Sequence, residues 1–357
     1  MTTEILQNFD SETFRHSLIT WYEKNKRVLP WRENQNPYYI WISEVMLQQT
    51  QVNTVIPYFH NFIEKFPTVY DLAGADEQDV LKAWEGLGYY SRARNLHSAV
   101  KEVVASYDGV VPKDKKELLS LKGIGPYTCG AIRSIAFDEP EPAVDGNVMR
   151  VISRVLKIDD NISLHRVRKS FERYVEELIC HDNPSSFNQG LMELGALICT
   201  PTSPKCEVCP VKDVCRAYEL GVAEQLPIKS KAKKPKQISY ATLLIENEAG
   251  EWLIQQRPGE GLLANLWQFI MVPIEDIGIK NVANWVYTEY GIDITFDDSE
   301  PVGQIKHVFS HLVWNINVYK ARTQNKDVVG NDMKFVQKNN LQKYPFPVSH
   351  LNMMDFL

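Results

Sequence analysis

Four of the six cysteines in this 357-residue chain, Cys199, Cys206, Cys209 and Cys215, fall within 17 residues as C-x6-C-x2-C-x5-C. Thiols crowded in this way in a chain expected to be intracellular ligate a metal before they form disulfides. All-sulfur ligation suits zinc or an iron–sulfur cluster. Structural zinc ribbons space their thiols as two short-looped pairs. Only Cys206 and Cys209 make such a pair here, so the spacing favours the cluster. Cys129 and Cys180 read as small buried residues. A second feature is LKGIGPYT, residues 121–128, where an apolar helix end meets Gly123-Ile124-Gly125 and Pro126 suits the first position of a new helix. Two glycines let the backbone approach a phosphate and aim N–H groups at it without reading sequence. A plain tight turn is the alternative. A third is PAVDGNVMRV, 142–151, in which Asp145 suits the N-cap of a helix starting near Val148.

The elements that position these residues follow from apolar spacing. Residues 12 to about 220 read as amphipathic helices joined by short turns. Ile42, Val45, Val52 and Val55 make one stripe over 42–56, Val167, Phe171, Val175 and Leu178 a second, and Phe187, Leu191, Leu194 and Ile198 a third. Residues 226–237, LPIKSKAKKPKQ, carry five lysines and two prolines and read as a basic linker. Beyond it, ISYATLLIE and EWLIQQR flank Gly250 as a hairpin, VGQIKHVFS and LVWNINVYKA read as strands, and 280–290 as a helix. The expected architecture is a mainly α part over 1–225, the linker 226–237, and an α+β domain over 238–357.

Composition sets the outer bounds. The chain is 44% hydrophobic and 24% charged, enough for a sizeable core. No run of 18 apolar residues exists, which predicts no membrane span. The opening MTTEILQNFDSETF lacks a basic segment followed by an apolar one, which predicts a soluble protein of a bacterial cytoplasm, nucleoid-associated if it binds DNA. The net charge is −6. Of this, 238–357 carries −5, with 9 Lys+Arg against 14 Asp+Glu. The rest is near neutral, and a local basic patch for DNA stays open.

LKGIGPYT, then VDGNV, then the cysteine spacing resemble the helix-hairpin-helix DNA glycosylase superfamily of endonuclease III and its relatives. WISEVMLQQTQVNTVIPYF (41–59), AWEGLGYYSRARNLH (83–97) and FSHLVW (309–314) narrow the resemblance to the adenine DNA glycosylase family. It implies a [4Fe-4S] cluster on Cys199, Cys206, Cys209 and Cys215. It also implies a monomer that removes adenine mispaired with 8-oxoguanine, or with guanine, from double-stranded DNA after flipping the base out.

Adenine is a poor leaving group, and its release needs protonation of the base and stabilisation of an oxocarbenium-like sugar. Two carboxyl groups with opposite protonation states suffice. The resemblance assigns Glu44, set between the apolar Trp41-Ile42 and Val45-Met46-Leu47, as the general acid, and Asp145 as the stabilising carboxylate. Asn147 would support the second by hydrogen bonding, and Tyr127 would contact the reacting centre. The endonuclease III branch carries a Schiff-base lysine at the position of Tyr127. A tyrosine cannot form an imine, so a monofunctional enzyme is expected. The alternative is a bifunctional pyrimidine glycosylase/lyase, and Tyr127 and the C-terminal domain count against it.

The resemblance further places Trp31, Arg32, Leu47 and Gln189 in the adenine pocket. Gly123 and Gly125 go to the phosphates, and Gln49, Thr50, Leu87 and Tyr89 in or around the duplex as contacts and wedge. The C-terminal part resembles a Nudix hydrolase domain. Asn284, Trp285 and Thr288 stand where that fold's metal-binding box needs charged residues, and Glu289 remains. With so few carboxylates for Mg²⁺, recognition is expected and not hydrolysis. Phe309, Ser310 and His311 are the expected readers of 8-oxoguanine.

Overall fold

A computed structural model describes residues 3–230, 234–328, 330 and 332–357. The chain forms two compact units, Met1–Gly74 with Ser98–Lys231, and Ala75–His97 with Ala232–Leu357. Among the described residues no helix is long and apolar enough to cross a membrane.

The helices are α1 (Ser11–Asn25), α2 (Pro37–Leu47), α3 (Val52–Lys65), α4 (Val69–Gly74), α5 (Glu77–Ala83), α6 (Ser91–Ser106), α7 (Lys115–Ser120), α8 (Pro126–Phe137), α9 (Gly146–Leu156), α10 (His165–Leu178), α11 (Pro184–Leu197) and α12 (Arg216–Glu219). In α10, Val167, Phe171, Val175 and Leu178 are all buried as the period predicts. In α11 Phe187, Leu191 and Leu194 are buried, and Ile198 caps the helix, half-buried. These side chains join Phe14 and Leu18 of α1 and the apolar face of α9 in one core.

One expectation is corrected. Residues 42–56 do not form one helix with one buried stripe. Gln49 takes φ +58°, in the left-handed region, and the polar run Gln48–Gln51 separates α2 from α3. Helix α2 is buried nearly all round, from Ile40 through Met46, so Glu44 goes into the interior with its neighbours. Asn36 caps it by accepting from Tyr38 N, and Pro37 takes the first position.

The hairpin between α7 and α8 needs its first glycine, because Gly123 has φ +85°. Ile124 is buried and anchors the turn, while Gly123 and Gly125 face solvent. Further along α8, Gly130 permits a close approach. A Cβ there would sit 2.7 Å from the Pro142 carbonyl carbon and nearer still to its oxygen. The segment leading to Asp145 therefore lies directly on α8. Asn188 of α11, fully buried, fixes it further: its amide donates to Ser134 Oγ (2.9 Å) and the Glu141 carbonyl (2.8 Å).

The expected linker is partly packed. Leu226 is buried, Ile162 N donates to the Ile228 carbonyl at 3.0 Å, and Ser230 N donates to Ser163 Oγ at 3.1 Å. Residues 231–233 of it lie outside the described residues, and a strand begins at Lys236.

The second unit is built on a mixed sheet of β1 (Lys236–Asn247), β2 (Glu251–Gln256), β3 (Trp267–Gln268), β4 (Ile270–Pro273), β5 (Thr295–Phe296), β6 (Gly303–Val308), β7 (Leu312–Thr323) and β8 (Met333–Gln337). β1 runs parallel to β7, while β1–β2, β1–β4, β6–β7 and β2–β8 are antiparallel. The β1–β2 hairpin turns at Gly250, as expected, and α14 (Val282–Tyr290) follows the short α13 (Ile274–Ile277). A last short helix, α15 (Val348–Leu351), leads to the C-terminal turn.

Residues 75–97, which the sequence reads as part of the helical run, join this unit through specific bonds. Asn265 Nδ2 donates to Glu77, Trp267 Nε1 donates to Gln78 Oε1 (2.9 Å), and Phe346 N donates to Glu85 Oε1 (2.8 Å). Lys82 Nζ donates to the Tyr344 carbonyl (3.2 Å), and Arg94 Nη1 to the Gly259 carbonyl (2.9 Å).

Candidate active site

Helix α2 carries Glu44 into a cavity of about 150 Å³ in the first unit. Its walls include Trp31, Arg32, Leu47, Thr50, Tyr127, Asp145, Asn147 and Gln189, which the sequence analysis singled out. Glu44 is 5% exposed, and Tyr127 Oη donates to its Oε2 at 2.6 Å. Burial pushes the Glu44 carboxyl up to about 7, the Tyr127 hydrogen bond opposes this, and the charge of Asp145 adds to it. Burial and the adjacent carboxylates lift the Tyr127 phenol well above its ordinary range, so it stays a neutral donor.

Asp145 is the N-cap of α9, as its position predicts, and it is also in the cavity. Its Oδ1 accepts from Val148 N at 2.7 Å and its Oδ2 from Asn147 Nδ2 at 2.9 Å. Burial raises its carboxyl above the usual range, against these hydrogen bonds and the Arg150 charge. The donors and the positive end of α9 are aligned on the ionised form.

Sequence reasoning missed a charged group in the same wall. Glu193, one turn beyond Gln189 on α11, is 1% exposed. It accepts from Arg27 N (3.1 Å), Arg27 Nε (2.7 Å), Arg27 Nη2 (2.8 Å) and Arg32 Nη2 (3.0 Å). Burial opposes its charge, yet the two guanidinium groups outweigh that and hold the carboxyl down at about 2. Arg32 Nε donates to Gln189 Oε1 at 3.0 Å, and Gln189 Nε2 donates to Ser185 Oγ at 3.1 Å. The i, i+4 spacing of Gln189 and Glu193 was the available signal. Trp31, 6% exposed, meets the edge of Phe59 at 5.5 Å, and Gln49 stays exposed at the break after α2.

The four cysteines of the spacing line a second cavity together with Val151, Arg154 and Leu194. Four thiols on the wall of one space are the donor set that an iron–sulfur cluster takes. Burial raises the thiols of Cys206 and Cys215 and pushes that of Cys209 up to about 12, so ligation must displace their protons. Arg154, 1% exposed, sets a guanidinium against this space. Its Nη1 lies 3.3 Å from Cys199 Sγ, and its other bonds reach the carbonyls of Thr200, Pro201 and Leu226. That cation would offset the negative charge of a thiolate-bound cluster held there. Arg150 links the two cavities in the unit, donating from Nε to the Cys199 carbonyl (2.8 Å) and from Nη2 to Asn147 Oδ1 (2.9 Å). Protein purified without oxygen should be yellow-brown and contain iron and sulfide; colourless protein with stoichiometric zinc is the contrary result.

In the second unit, Phe309, Ser310 and His311 line a cavity of about 380 Å³ with Leu87, Tyr89, Leu262 and Leu263. The three residues differ in kind. Phe309 is an anchor, its ring 4.5 Å from that of His307 and 4.8 Å from that of Trp314. Ser310 and His311 are exposed, with Ser310 Oγ 3.4 Å from His311 Nδ1. Tyr89 is 45% exposed at φ +48°, whereas Leu87 is 7% exposed.

Family models match in both parts of the chain, and the first of them spans 75–97, which packs with the second unit. Residues 42–177 match the model of the HhH-GPD superfamily base excision DNA repair proteins, 199–215 the iron–sulfur binding domain of endonuclease III, and 241–355 the NUDIX domain. The chain is 35% identical to the adenine DNA glycosylase of Rattus norvegicus over 87% of its own length and 70% of that protein. It is 35% identical to the adenine DNA glycosylase of Buchnera aphidicola subsp. Schizaphis graminum over 85% of its own length and 86% of that one. Among solved structures, a thermostable thymine-DNA glycosylase matches with a TM-score of 0.55 and 30% identity, covering 60% of this chain and 99% of that one. A helical unit of the HhH-GPD type with a [4Fe-4S] cysteine loop, joined to a Nudix-like domain, places this base-excision repair enzyme in the adenine DNA glycosylase family.

Proposed function

We propose that the enzyme hydrolyses the N-glycosidic bond of adenine paired with 8-oxoguanine, or with guanine, in duplex DNA, and does not cut the strand. The observation that carries this is the Tyr127–Glu44 contact in a cavity that also holds Asp145, with no lysine among its lining residues. A flipped adenine would lie against Trp31 and Leu47, with Arg32 and Gln189 at its polar edge. Glu44, raised to about 7, holds a proton near neutral pH and gives it to N7. The bond to the sugar then breaks with its electron pair on the base, and the Asp145 carboxylate faces the positive charge left on the sugar. Water adds to that carbon and returns a proton to Glu44. Asn147 holds Asp145 in place. Gly123 and Gly125, exposed ahead of α8, serve the phosphates, while Gln49, Thr50, Leu87 and Tyr89 contact or wedge the duplex.

One chain supplies both cavities, and we take the monomer as the working unit. The C-terminal domain acts by recognition: α14 presents Asn284, Trp285 and Thr288 in place of metal ligands. Guanine offers an acceptor at N7, which becomes a donor in 8-oxoguanine, with a new carbonyl at C8. The exposed Ser310 hydroxyl can meet both.

Duplexes carrying A:8-oxoG, A:G, A:T and thymine glycol, with and without alkali, test the reading. Release from the first two with intact strands until alkali is added is expected. Thymine-glycol excision with strand cleavage would favour the bifunctional alternative. Ser310→Ala should lower the preference for A:8-oxoG over A:G about two- to tenfold, the worth of one hydrogen bond, with A:G turnover unchanged. Equal slowing of both substrates would place the reader elsewhere.

A further inference from the structure

Nothing in the chemistry of adenine release uses Glu193, yet it is a nearly inaccessible carboxylate in the wall of the catalytic cavity. A buried charge survives only where partners compensate it, and here four hydrogen bonds converge on it. Their effect falls on Arg32. That guanidinium lines the cavity with Glu44, but its three nitrogens face elsewhere: Nε to Gln189, Nη1 to the Arg27 carbonyl (3.1 Å), and Nη2 to Glu193. The hydrogen bond of Glu44 goes to Tyr127 instead. An arginine free to turn towards Glu44 would pair with its carboxylate and strip it of the proton it must donate.

We propose that Glu193, braced by Arg27, is a counter-ion that holds Arg32 off Glu44 and so keeps Glu44 protonated. It is a positioning residue, and its role rests on the reading of Glu44 as the general acid. The groups that face Glu44 are Tyr127 from α8, Asp145 at the start of α9, and Arg32, whose charge is the one that favours the ionised acid. Arg27 and Glu193 act on it through Arg32. Removing the Glu193 charge leaves two arginines uncompensated in the wall. Removing Arg27 leaves Glu193 more negative while still tied to Arg32.

The test is the pH dependence of single-turnover adenine release from an A:8-oxoG duplex, measured for the full-length wild type, Glu193→Gln, Arg27→Met and Glu193→Asp. The wild-type rate should fall on the alkaline side as Glu44 loses its proton. In Glu193→Gln this limb should move to lower pH by about one unit, which at pH 8 is roughly a tenfold loss of rate. In Arg27→Met it should move to higher pH by about half a unit, and Glu193→Asp should restore it towards the wild type. A general loosening of the fold does not move the two limbs in opposite directions. If thermal melts show that Glu193→Gln does not fold, Arg27→Met decides: an upward shift supports the role, and an unmoved or lowered limb overturns it. A wild-type limb that neither substitution moves overturns the counter-ion role alone. A wild-type profile with no such limb overturns the assignment of Glu44 and this role with it.

Discussion

Glu44→Gln should lower the single-turnover rate of adenine release by about 10²- to 10⁴-fold, the usual worth of a general acid, and leave duplex affinity largely intact. The substitution keeps the shape of the side chain and a partner for Tyr127, whose hydroxyl lies 2.6 Å from Glu44 Oε2, but removes the transferable proton. The carboxyl titrates at about 7 because burial disfavours its charge. The acid form is therefore dominant below that pH and is lost above it, so the wild-type rate should decline as pH rises through neutrality. Asp145→Asn should cost a similar factor for the opposite reason, since a neutral amide cannot offset positive charge on the sugar. As an N-cap, asparagine still accepts from Val148 N, so the thermal midpoint should move little. A fast rate in either variant, measured with excess enzyme, would remove that residue from the chemistry.

Gly130→Ala should have the largest effect of any single-methyl change in the first unit. The added carbon would overlap the carbonyl of Pro142, which is backbone and has no rotamer to escape into. Overpacking of this kind costs about 1–3 kcal/mol, and more where backbone is struck. Relief comes only by moving the 142–145 segment off α8, which separates Asp145 from Tyr127. A displacement of about 1 Å in a catalytic group can cost a hundredfold in rate. Gly130→Ala should therefore lower both the thermal midpoint and the rate, whereas Gly125→Ala, with open space around its Cβ position, should keep the midpoint. A normal midpoint in Gly130→Ala would show that the segment yields without cost.

What could be read from the sequence depended on how local the signal was. The cysteine spacing is local, and its four thiols line one cavity. Asp145 was legible as a cap because that role rests on DGNV, and the fold brings it to the cavity of Glu44. The burial of Glu44 was suggested by apolar residues on either side of it. The break after α2 was not legible, because a glutamine adopts the left-handed turn that a glycine would have marked. The bond from Arg27 to Glu193 joins residues 166 positions apart, and only the fold brings them together. The tripeptide 309–311 looked like one recognition unit. In the structure Phe309 belongs to an aromatic cluster and Ser310 faces solvent, a distinction that depends on Trp314 across the turn.

The turn bearing Leu87 and Tyr89 is fastened by residues that the ribosome makes long after it. Phe346, whose N–H reaches Glu85, lies 261 positions further on, and Asn265, the partner of Glu77, lies 188 further on. At about 5–20 residues per second, the longer interval is roughly 10–50 s. During it Glu77, Gln78, Lys82 and Glu85 have water in place of these partners, and the loop to be closed is among the longest the chain offers. The side chains that line the cavity of Glu44 all precede residue 197, so they emerge well before the turn is fastened. A nascent or truncated chain would thus bring Glu44 and Asp145 to one cavity before the turn of Leu87 and Tyr89 is fastened. The order of synthesis completes the first of these arrangements early and the second last.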